Sequence, residues 1–326
     1  MRESNIELCR IVTMLLVLIV HSDFATLGNP TNWETPHLGL LFSQSLSVVG
    51  VNVFVLISGY FSIRPKKQSV FRLLYCCFFY AVLFAFFSYY NNSFSLYQLL
   101  FVSEANWFVS AYLGLMLLSP VLNVYVENIS KKTFAWTILV LLVFQTWYEV
   151  VPKFIPDFHG GYSILSFCIL YLIARYLFLY PPIITSMGKC LFAYFIITIF
   201  LTFSIYITLI IDYKPETIIR EMLKYNNPIV ILSSVCLFLT FAKMNIGKSR
   251  IINHLAKSCI AVLLIHTSQV FFPYYSKLFK IIFYNTSGVL TLSCWMFAII
   301  LTYLLCSIVD QIRLLTESKF IKLFWK

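Results

Sequence analysis

Arg10 and His21 are the residues whose types and spacing most clearly favour chemistry, because both lie in one apolar segment, 8–23. Eleven residues make about three turns of an α-helix, so both side chains should project from one face, roughly 16 Å apart along the axis. Asp23 follows close behind. Ionisable groups inside a membrane span are costly and by default face a bundle interior or a water-filled cavity. We therefore interpret this helix face as one wall of a functional site.

The pair suits an anionic ligand that enters from the cytoplasm and a proton acceptor that lies deeper in the membrane. An arginine binds phosphate or carboxylate groups well, and a histidine takes up a proton readily near neutral pH. Two purely structural interpretations stay open. An arginine near a helix end can extend to lipid phosphates, and a buried histidine can simply hydrogen-bond to a backbone carbonyl.

The composition places these residues in an integral membrane protein. The chain has 326 residues, of which 60% are hydrophobic and 11% charged, and its mean hydropathy is +0.85. A soluble domain has about 25% charged residues. The formal net charge of +11 then indicates basic cytoplasmic loops rather than a nucleic-acid partner. The nine cysteines lie in or beside apolar segments without metal-ligand spacing, so we predict core residues and no metal site.

Ten apolar segments are long enough to hold membrane-spanning helices. We therefore predict an all-α polytopic helix bundle of about ten transmembrane helices, which forms a single domain over residues 1–326. The predicted spans are 8–27, 38–61, 70–90, 106–126, 133–150, 162–180, 189–211, 228–243, 256–273 and 288–309.

The basic residues predict the orientation of this bundle. With the N-terminus inside, all but six of the 24 lysines and arginines fall on the cytoplasmic side. Positively charged loops favour the cytoplasmic face, so we predict that both termini are cytoplasmic. The six exceptions are Lys153, Lys214, Arg220, Lys224, Lys277 and Lys280.

A basic cluster after the second span lies on the same predicted inner side as Arg10. Its members are Arg64, Lys66, Lys67 and Arg72. Such a cluster can set the topology or bind anionic lipid, and it can also hold the phosphates of a large cytosolic co-substrate. Just before it, the small residues Ser58 and Gly59 predict a close approach between two helices.

Further polar and aromatic residues are predicted near the outer end of the bundle. His266 follows Lys257 by nine residues in a rising span, which puts it at a depth similar to that of His21. A lone histidine on a packed face is the structural alternative. Glu104, Trp107 and Tyr112 mark the outer end of the fourth span, where the aromatic residues would also suit an interfacial belt.

These motifs, in this order, resemble the acyltransferase 3 family of bacterial membrane O-acyltransferases. Arg10 and His21 match the family's arginine and histidine separated by ten residues, and FVLISGYF is similar to its SG motif. Residues 107–123, 161–177, 225–234 and 252–266 resemble the branch that modifies surface polysaccharides. Two positions depart from the family pattern. Arg72 has no second arginine four residues away, and Ala174 stands where a glycine is usual.

The resemblance implies acyl-CoA, usually acetyl-CoA, as a co-substrate on the cytoplasmic side, with no tightly bound cofactor. It implies an acceptor hydroxyl on a cell-surface polysaccharide or a lipid-linked oligosaccharide precursor. The location would be the bacterial inner membrane, in contact with membrane lipid and with no nucleic acid as partner. His21 would act as the general base or carry the acyl group, and Arg10 would orient the donor.

The expected site residues divide into a donor side, which would bind acyl-CoA, and an acceptor side, which would bind the sugar. The expected donor side comprises Arg10, Ser58, Gly59, Arg64, Lys67 and Arg72. The expected acceptor side comprises Glu104, Trp107, Tyr112 and His266. Two rival functions stay open at this point, a flippase or exporter of a glycan lipid and a polysaccharide polymerase, and neither needs acyl-CoA. The sequence carries no phosphate-binding loop, so ATP hydrolysis by this chain is not expected.

Overall fold

The computed structural model describes residues 3–22, 37–91, 94–96, 106–150, 158–182, 186–211 and 221–324. Within these ranges the chain is helical and contains no strand. Six helical segments of the described part, one of which joins two consecutive helices, are long and apolar enough to cross a membrane. They are Ser4–Ser22, Leu38–Tyr60, Lys67–Tyr90, Trp107–Glu127, Met187–Ile211 and Gly288–Lys322. The prediction of an all-helical membrane protein is confirmed, whereas the count of ten spans and the side of the termini stay predictions.

Thirteen α-helices of the described part are numbered here in chain order. They are α1 (Ser4–Ser22), α2 (Leu38–Ser47), α3 (Gly50–Tyr60), α4 (Lys67–Tyr90), α5 (Trp107–Glu127), α6 (Lys131–Val150), α7 (Ile164–Leu179), α8 (Met187–Ile211), α9 (Pro228–Ala242), α10 (Arg250–Leu255), α11 (Cys259–His266), α12 (Phe272–Asn285) and α13 (Gly288–Phe324). The helices α4 to α9 begin and end within three residues of the corresponding predicted spans.

The expectation of one continuous helix over 256–273 was wrong. A 3₁₀ turn precedes α11, which ends at His266, and a turn then leads into α12. The hydroxyl groups of Thr267 and Ser268 donate to backbone carbonyls one turn back. Pro273 lies in the first turn of α12, where its missing N–H costs nothing. The predicted span is therefore interrupted between His266 and Phe272, and the proline suits the start of the second helix.

Three other predicted spans differ from the structure in their ends or continuity. The span over 38–61 is two helices, α2 and α3, separated by a turn at residues 48–49. The helix of the last predicted span, α13, continues beyond residue 309 to Phe324. α1 begins at Ser4 and is described to Ser22, so the predicted residues 23–27 of this span lie outside the described residues.

α1 is the helix that two apolar cores share. Its residues Cys9 and Leu16 belong to the core that also includes α3, α7, α8 and α9. Met14, Val17 and Leu18 belong to a second core with α4, α11, α12 and α13. A helix with apolar neighbours on both sides must find partners for its polar side chains among those neighbours. The positions of Arg10 and His21 are therefore constrained by both halves of the bundle.

The first turn of α1 is tied to segments near the end of the chain. The Ser4 hydroxyl donates to Asn253 Oδ1 at 3.0 Å and accepts from the backbone N–H of Ser249 at 2.8 Å. The Asn5 side chain donates to the carbonyl of Phe241 at 3.1 Å. These hydrogen bonds fix the depth at which α1 enters the bundle.

The predicted close approach at Gly59 is seen between α3 and α7. A Cβ atom at Gly59 would lie 2.8 Å from the Tyr171 carbonyl oxygen and 2.8 Å from the Ala174 Cβ. The Tyr171 oxygen is backbone and cannot move without shifting α7. Only a residue without a side chain fits this helix crossing, as is common between membrane helices.

A buried ionic cluster joins α4 to the second half of α13. Arg313 binds Asp310 through two hydrogen bonds of 2.6 and 2.8 Å and also contacts Glu317. Tyr80 donates to Asp310 at 2.8 Å, and Arg72 lies 3.7 Å from Glu317. Two cations and two carboxylates balance one another, which is the arrangement that a buried charge requires. The cluster braces the two helices beside the predicted inner face.

We expect Gly59→Ala to lower the stability of the protein, because its new methyl group would overlap backbone of α7. Overpacking of this kind costs about 1–3 kcal/mol. Gly188→Ala is the matched control, since a Cβ there meets nothing within 4 Å. Thermal unfolding in detergent measures both. An unchanged melting temperature for Gly59→Ala would contradict the close packing of α3 on α7.

Candidate active site

The structure brings His21 and His266 into direct contact. Nδ1 of His21 lies 2.8 Å from Nε2 of His266, and the two ring centroids are 5.0 Å apart. Nδ1 of His266 lies 2.6 Å from the carbonyl oxygen of Val262, one turn back on α11. The His266 side chain is only 2% exposed. The sequence predicted similar depths for the two histidines, and the structure adds a hydrogen bond between their rings.

Two aromatic side chains hold the end of α1 that carries His21. The Tyr275 hydroxyl of α12 donates to the Leu18 carbonyl at 2.6 Å, and its ring centroid lies 5.7 Å from that of His266. Trp295 of α13 donates to the Ser22 hydroxyl at 2.7 Å. Sequence reasoning did not select Tyr275 or Trp295, because no local pattern distinguishes them from the many other aromatic residues.

A cavity of about 280 Å³ opens beside His21. Most of its wall is apolar and comes from α1, α3 and α11, for example Val17, Phe54 and Leu263. Trp107 and Tyr225 form an aromatic part of the same wall. A mostly apolar cavity with a few polar groups is the usual form of a small-molecule site. The cavity therefore places a titratable histidine, aromatic faces and an apolar surface around one space.

Trp107 and Tyr225 form a cluster of three rings with Tyr162, which lies behind the cavity wall. Trp107 lies 4.3 Å from Tyr162 and 5.8 Å from Tyr225, measured between centroids, and it is nearly parallel to Tyr225. Burial raises the pKa of the Tyr225 hydroxyl well above its usual value, and the neighbouring Tyr162 raises it further. The Tyr225 hydroxyl therefore stays protonated and remains a hydrogen-bond donor at physiological pH.

Tyr225 is held in place through its backbone. Its N–H donates to the carbonyl of Gly160 at 2.9 Å, and its own carbonyl accepts from Asn52 of α3 at 2.8 Å. Gly161 has φ of +97°, and a Cβ there would lie 2.6 Å from that of Tyr225. Glycine suits both this backbone conformation and this close approach. Sequence reasoning missed Tyr225, although the glycine pair and the YNNP segment are visible in the sequence.

Arg10 lies near the opposite end of α1 and is paired with Glu7. Its Nη1 is 2.5 Å from Glu7 Oε1, at the i, i+3 spacing of one helix face. The Glu7 side chain is 3% exposed and that of Arg10 is 32% exposed. The carboxylate thus fixes one edge of the guanidinium while part of the group remains accessible. Glu7 was not selected from the sequence, although its spacing from Arg10 would have revealed it.

Arg64 lies exposed in a loop that the bundle holds firmly. In the same loop the Ile63 N–H donates to the Tyr171 hydroxyl at 3.1 Å, and the Ile63 carbonyl accepts from Asn123 at 2.9 Å. Ser62 has φ of +60°, which turns the chain sharply after α3. The loop therefore presents Arg64 from a defined position.

The other predicted site residues are distributed over the bundle. Lys67 is exposed at the start of α4, whereas Arg72 faces Glu317. The Ser58 hydroxyl forms a 3.0 Å hydrogen bond with that of Tyr112, which links α3 to α5 beside Gly59. Glu104 lies outside the described residues.

Among the described residues, no group of three or more His, Cys, Asp or Glu side chains is placed to hold a metal ion. The lining residues with polar side-chain atoms are His21, Ser47, Trp107, Tyr225 and Thr267, and His266 contacts His21 from behind this lining. The chemistry that these residues themselves offer is proton transfer at His21.

Comparison with known families identifies the family of this chain. A model of the acyltransferase domain of the acyltransferase 3 family matches residues 3–310, nearly the whole chain. The protein therefore belongs to this family. Its apolar helices and its family together make it a membrane acyltransferase. No curated protein and no solved structure matches the chain.

We expect Tyr275→Phe to weaken the attachment of α12 to α1, because the hydroxyl that donates to Leu18 is lost. One hydrogen bond of this kind contributes about 0.5–1.5 kcal/mol. Thermal unfolding in detergent measures the loss, with Tyr284→Phe on the exposed face of the same helix as the control. Equal melting temperatures for the two variants would contradict this role of the hydroxyl.

Proposed function

We propose that this protein transfers an acetyl group from cytoplasmic acetyl-CoA to a hydroxyl of a cell-surface polysaccharide or its lipid-linked precursor. The observation that carries the proposal is the shared cavity of His21, Trp107 and Tyr225, at the end of a helix whose other end presents Arg10. Membership in an acyltransferase family supports the transfer of an acyl group. The proposed location is the inner membrane of a bacterium.

His21 is the proposed general base. The sugar hydroxyl oxygen attacks the carbonyl carbon of the thioester while His21 takes the hydroxyl proton. A new C–O bond forms, the C–S bond breaks, and the departing CoA sulfur receives the proton from His21. General-base catalysis by a positioned histidine contributes about 10²–10⁴-fold to a rate. The apolar wall excludes water, which otherwise would compete with the sugar for the acyl group.

The donor side of the proposal uses the inner end of α1. Arg10, Arg64 and Lys67 are partly or fully exposed cations that can bind the phosphates of CoA through charge-assisted hydrogen bonds. Arg72 already lies 3.7 Å from Glu317, so its positive charge is less available to bind a phosphate of CoA. The pantetheine arm then spans the roughly 16 Å between Arg10 and His21 along α1. The Ser58–Gly59 pair borders this path by keeping α3 close to its neighbours.

The acceptor side of the proposal uses the aromatic cluster. Sugar rings have apolar C–H faces, and the flat faces of Trp107 and Tyr225 provide a surface on which such a ring can stack. The hydrogen-bonded hydroxyl groups of Tyr225 and Tyr162 lie beside this surface, where one of them can bind a sugar oxygen. Tyr112 and Glu104 extend this side in the proposal, with Tyr112 joined to Ser58.

We expect His21→Ala to lower the rate of acetyl transfer by about 10²–10⁴-fold, because the proton acceptor is lost. The measurement is transfer from radiolabelled acetyl-CoA in membranes with equal amounts of protein. His254→Ala is the control, since His254 lies in α10 and hydrogen-bonds to Gln311. If His21→Ala retains activity close to that of the unchanged protein, His21 is not the general base.

We expect Arg10→Gln to raise the KM for acetyl-CoA about tenfold or more, because charge-assisted hydrogen bonds to phosphate contribute about 1.5–3 kcal/mol. Glu7→Gln combined with Arg10→Gln removes both charges, so no buried carboxylate is left without its cation. Arg250→Gln, on an exposed residue of α10, is the control. A KM unchanged in both Arg10 variants would contradict the donor site.

Binding of acetyl-CoA also distinguishes the proposed acetyltransferase from a glycan transporter and from a glycan polymerase. A thermal-shift measurement in detergent with acetyl-CoA should raise the melting temperature, because a ligand that binds only the folded state stabilises it. A glycan flippase or polymerase has no use for acetyl-CoA and should show no shift. Arg10→Gln should reduce the shift at a given concentration.

A further inference from the structure

We propose that His266 is a positioning residue, which holds His21 in the tautomer with the hydrogen on Nδ1 and the lone pair on Nε2. This inference rests on the proposed function, since it specifies which nitrogen of the base accepts the proton. The two rings come from α1 and α11, which are separated by 245 residues in the chain. The hydrogen-bond network around them assigns the hydrogens step by step.

The first step is the contact of His266 with its own helix. Nδ1 of His266 lies 2.6 Å from the carbonyl oxygen of Val262. A carbonyl oxygen can only accept a hydrogen bond, so Nδ1 of His266 carries a hydrogen and donates it. The donor fixes the ring of His266 against α11.

The second step is the charge of His266. Its ring is 2% exposed, and its polar and ring contacts among the described residues are with His21, Val262 and Tyr275. None of these is a carboxylate. A buried imidazolium without a counter-charge would cost several kcal/mol, so His266 is neutral. With Nδ1 protonated, its Nε2 carries the lone pair and accepts.

The third step follows for His21. Its Nδ1 lies 2.8 Å from that accepting Nε2, so Nδ1 of His21 carries the hydrogen and donates it. In neutral His21 the lone pair then belongs to Nε2. A neutral histidine in water favours the opposite tautomer, with its hydrogen on Nε2. The contact with His266 reverses that preference and leaves Nε2 as the basic nitrogen.

The same hydrogen bond has a second effect when His21 takes up a proton. The resulting imidazolium still donates from Nδ1 to Nε2 of His266, and a hydrogen bond with an ionised partner is about twice as strong as a neutral one. His266 thus stabilises the charge that forms during transfer. An orienting group on the far side of a catalytic histidine performs this task in hydrolases with a catalytic triad, where it is a carboxylate.

The test compares His266→Gln with His266→Leu. The side-chain oxygen of glutamine reaches about as far as Nε2 and accepts a hydrogen bond, whereas leucine fills the space without an acceptor. We expect His266→Leu to lower kcat about 10²-fold or more, with the KM for acetyl-CoA changed less than threefold. We expect His266→Gln to keep kcat within about tenfold of the unchanged protein. Equal losses in the two variants would contradict the positioning role.

A spectroscopic measurement tests the tautomer directly. ¹⁵N NMR of histidine-labelled protein in nanodiscs identifies which ring nitrogen bears the hydrogen, and His21→Ala assigns the signal. We expect the hydrogen on Nδ1 of His21 in the unchanged protein and on Nε2 in His266→Leu. A hydrogen on Nε2 of His21 in the unchanged protein would overturn the inference, even if both His266 variants failed to fold.

The two experiments also separate this inference from the proposed function. If His21→Ala retains acetyl transfer while the spectrum shows the hydrogen on Nδ1, the general base is wrong and the tautomer assignment stands. If His21→Ala is inactive while the spectrum shows the hydrogen on Nε2, the function stands and the positioning role of His266 fails.

Discussion

The hydrogen bond between His21 and His266 is the interaction on which the site depends. It joins the end of α1 to the end of α11, and further hydrogen bonds hold each of these helix ends in place. α11 ends at His266, and the hydroxyls of Thr267 and Ser268 bond back to its last turn. α1 is held at its own end by Tyr275 and Trp295. The cavity beside His21 exists where these two helix ends meet.

A single helix also connects the two sides of the proposed reaction. Arg10 and His21 both belong to α1, so their separation is set by helix geometry rather than by a flexible loop. Because α1 is shared by two apolar cores, neither residue can shift without disturbing both. Glu7 fixes the guanidinium at one end, and His266 fixes the imidazole at the other. Rigid elements of this kind are what a site needs to hold reacting groups in a defined geometry.

The sequence predicted the parts of this arrangement that depend on local pattern. Hydropathy placed α4 to α9 within a few residues, and the i, i+11 spacing of Arg10 and His21 put them on one helix. The contacts of His21 with His266 and of Leu18 with Tyr275 join residues more than 200 positions apart, and no local signal reports such contacts. The YNNP segment is visible in the sequence, but the contacts of Tyr225 with Asn52 and Trp107, which bring it to the site, also join distant parts of the chain. The break after His266 was missed because hydropathy is an average over a segment. It does not report the local hydrogen bonds of Thr267 and Ser268 or the position of Pro273.

The distance of 245 residues between the two histidines also has a consequence for synthesis of the protein. The first helix enters the membrane with Arg10 and His21 long before the ribosome has made His266. Until then the hydrogen bond between His21 and His266 cannot form, and the parts of the cavity wall that α11 and α12 supply are missing. A nascent or truncated chain that ends before α11 therefore contains Arg10 and His21 without His266. The cavity beside His21 is complete only when the last quarter of the chain has joined the bundle.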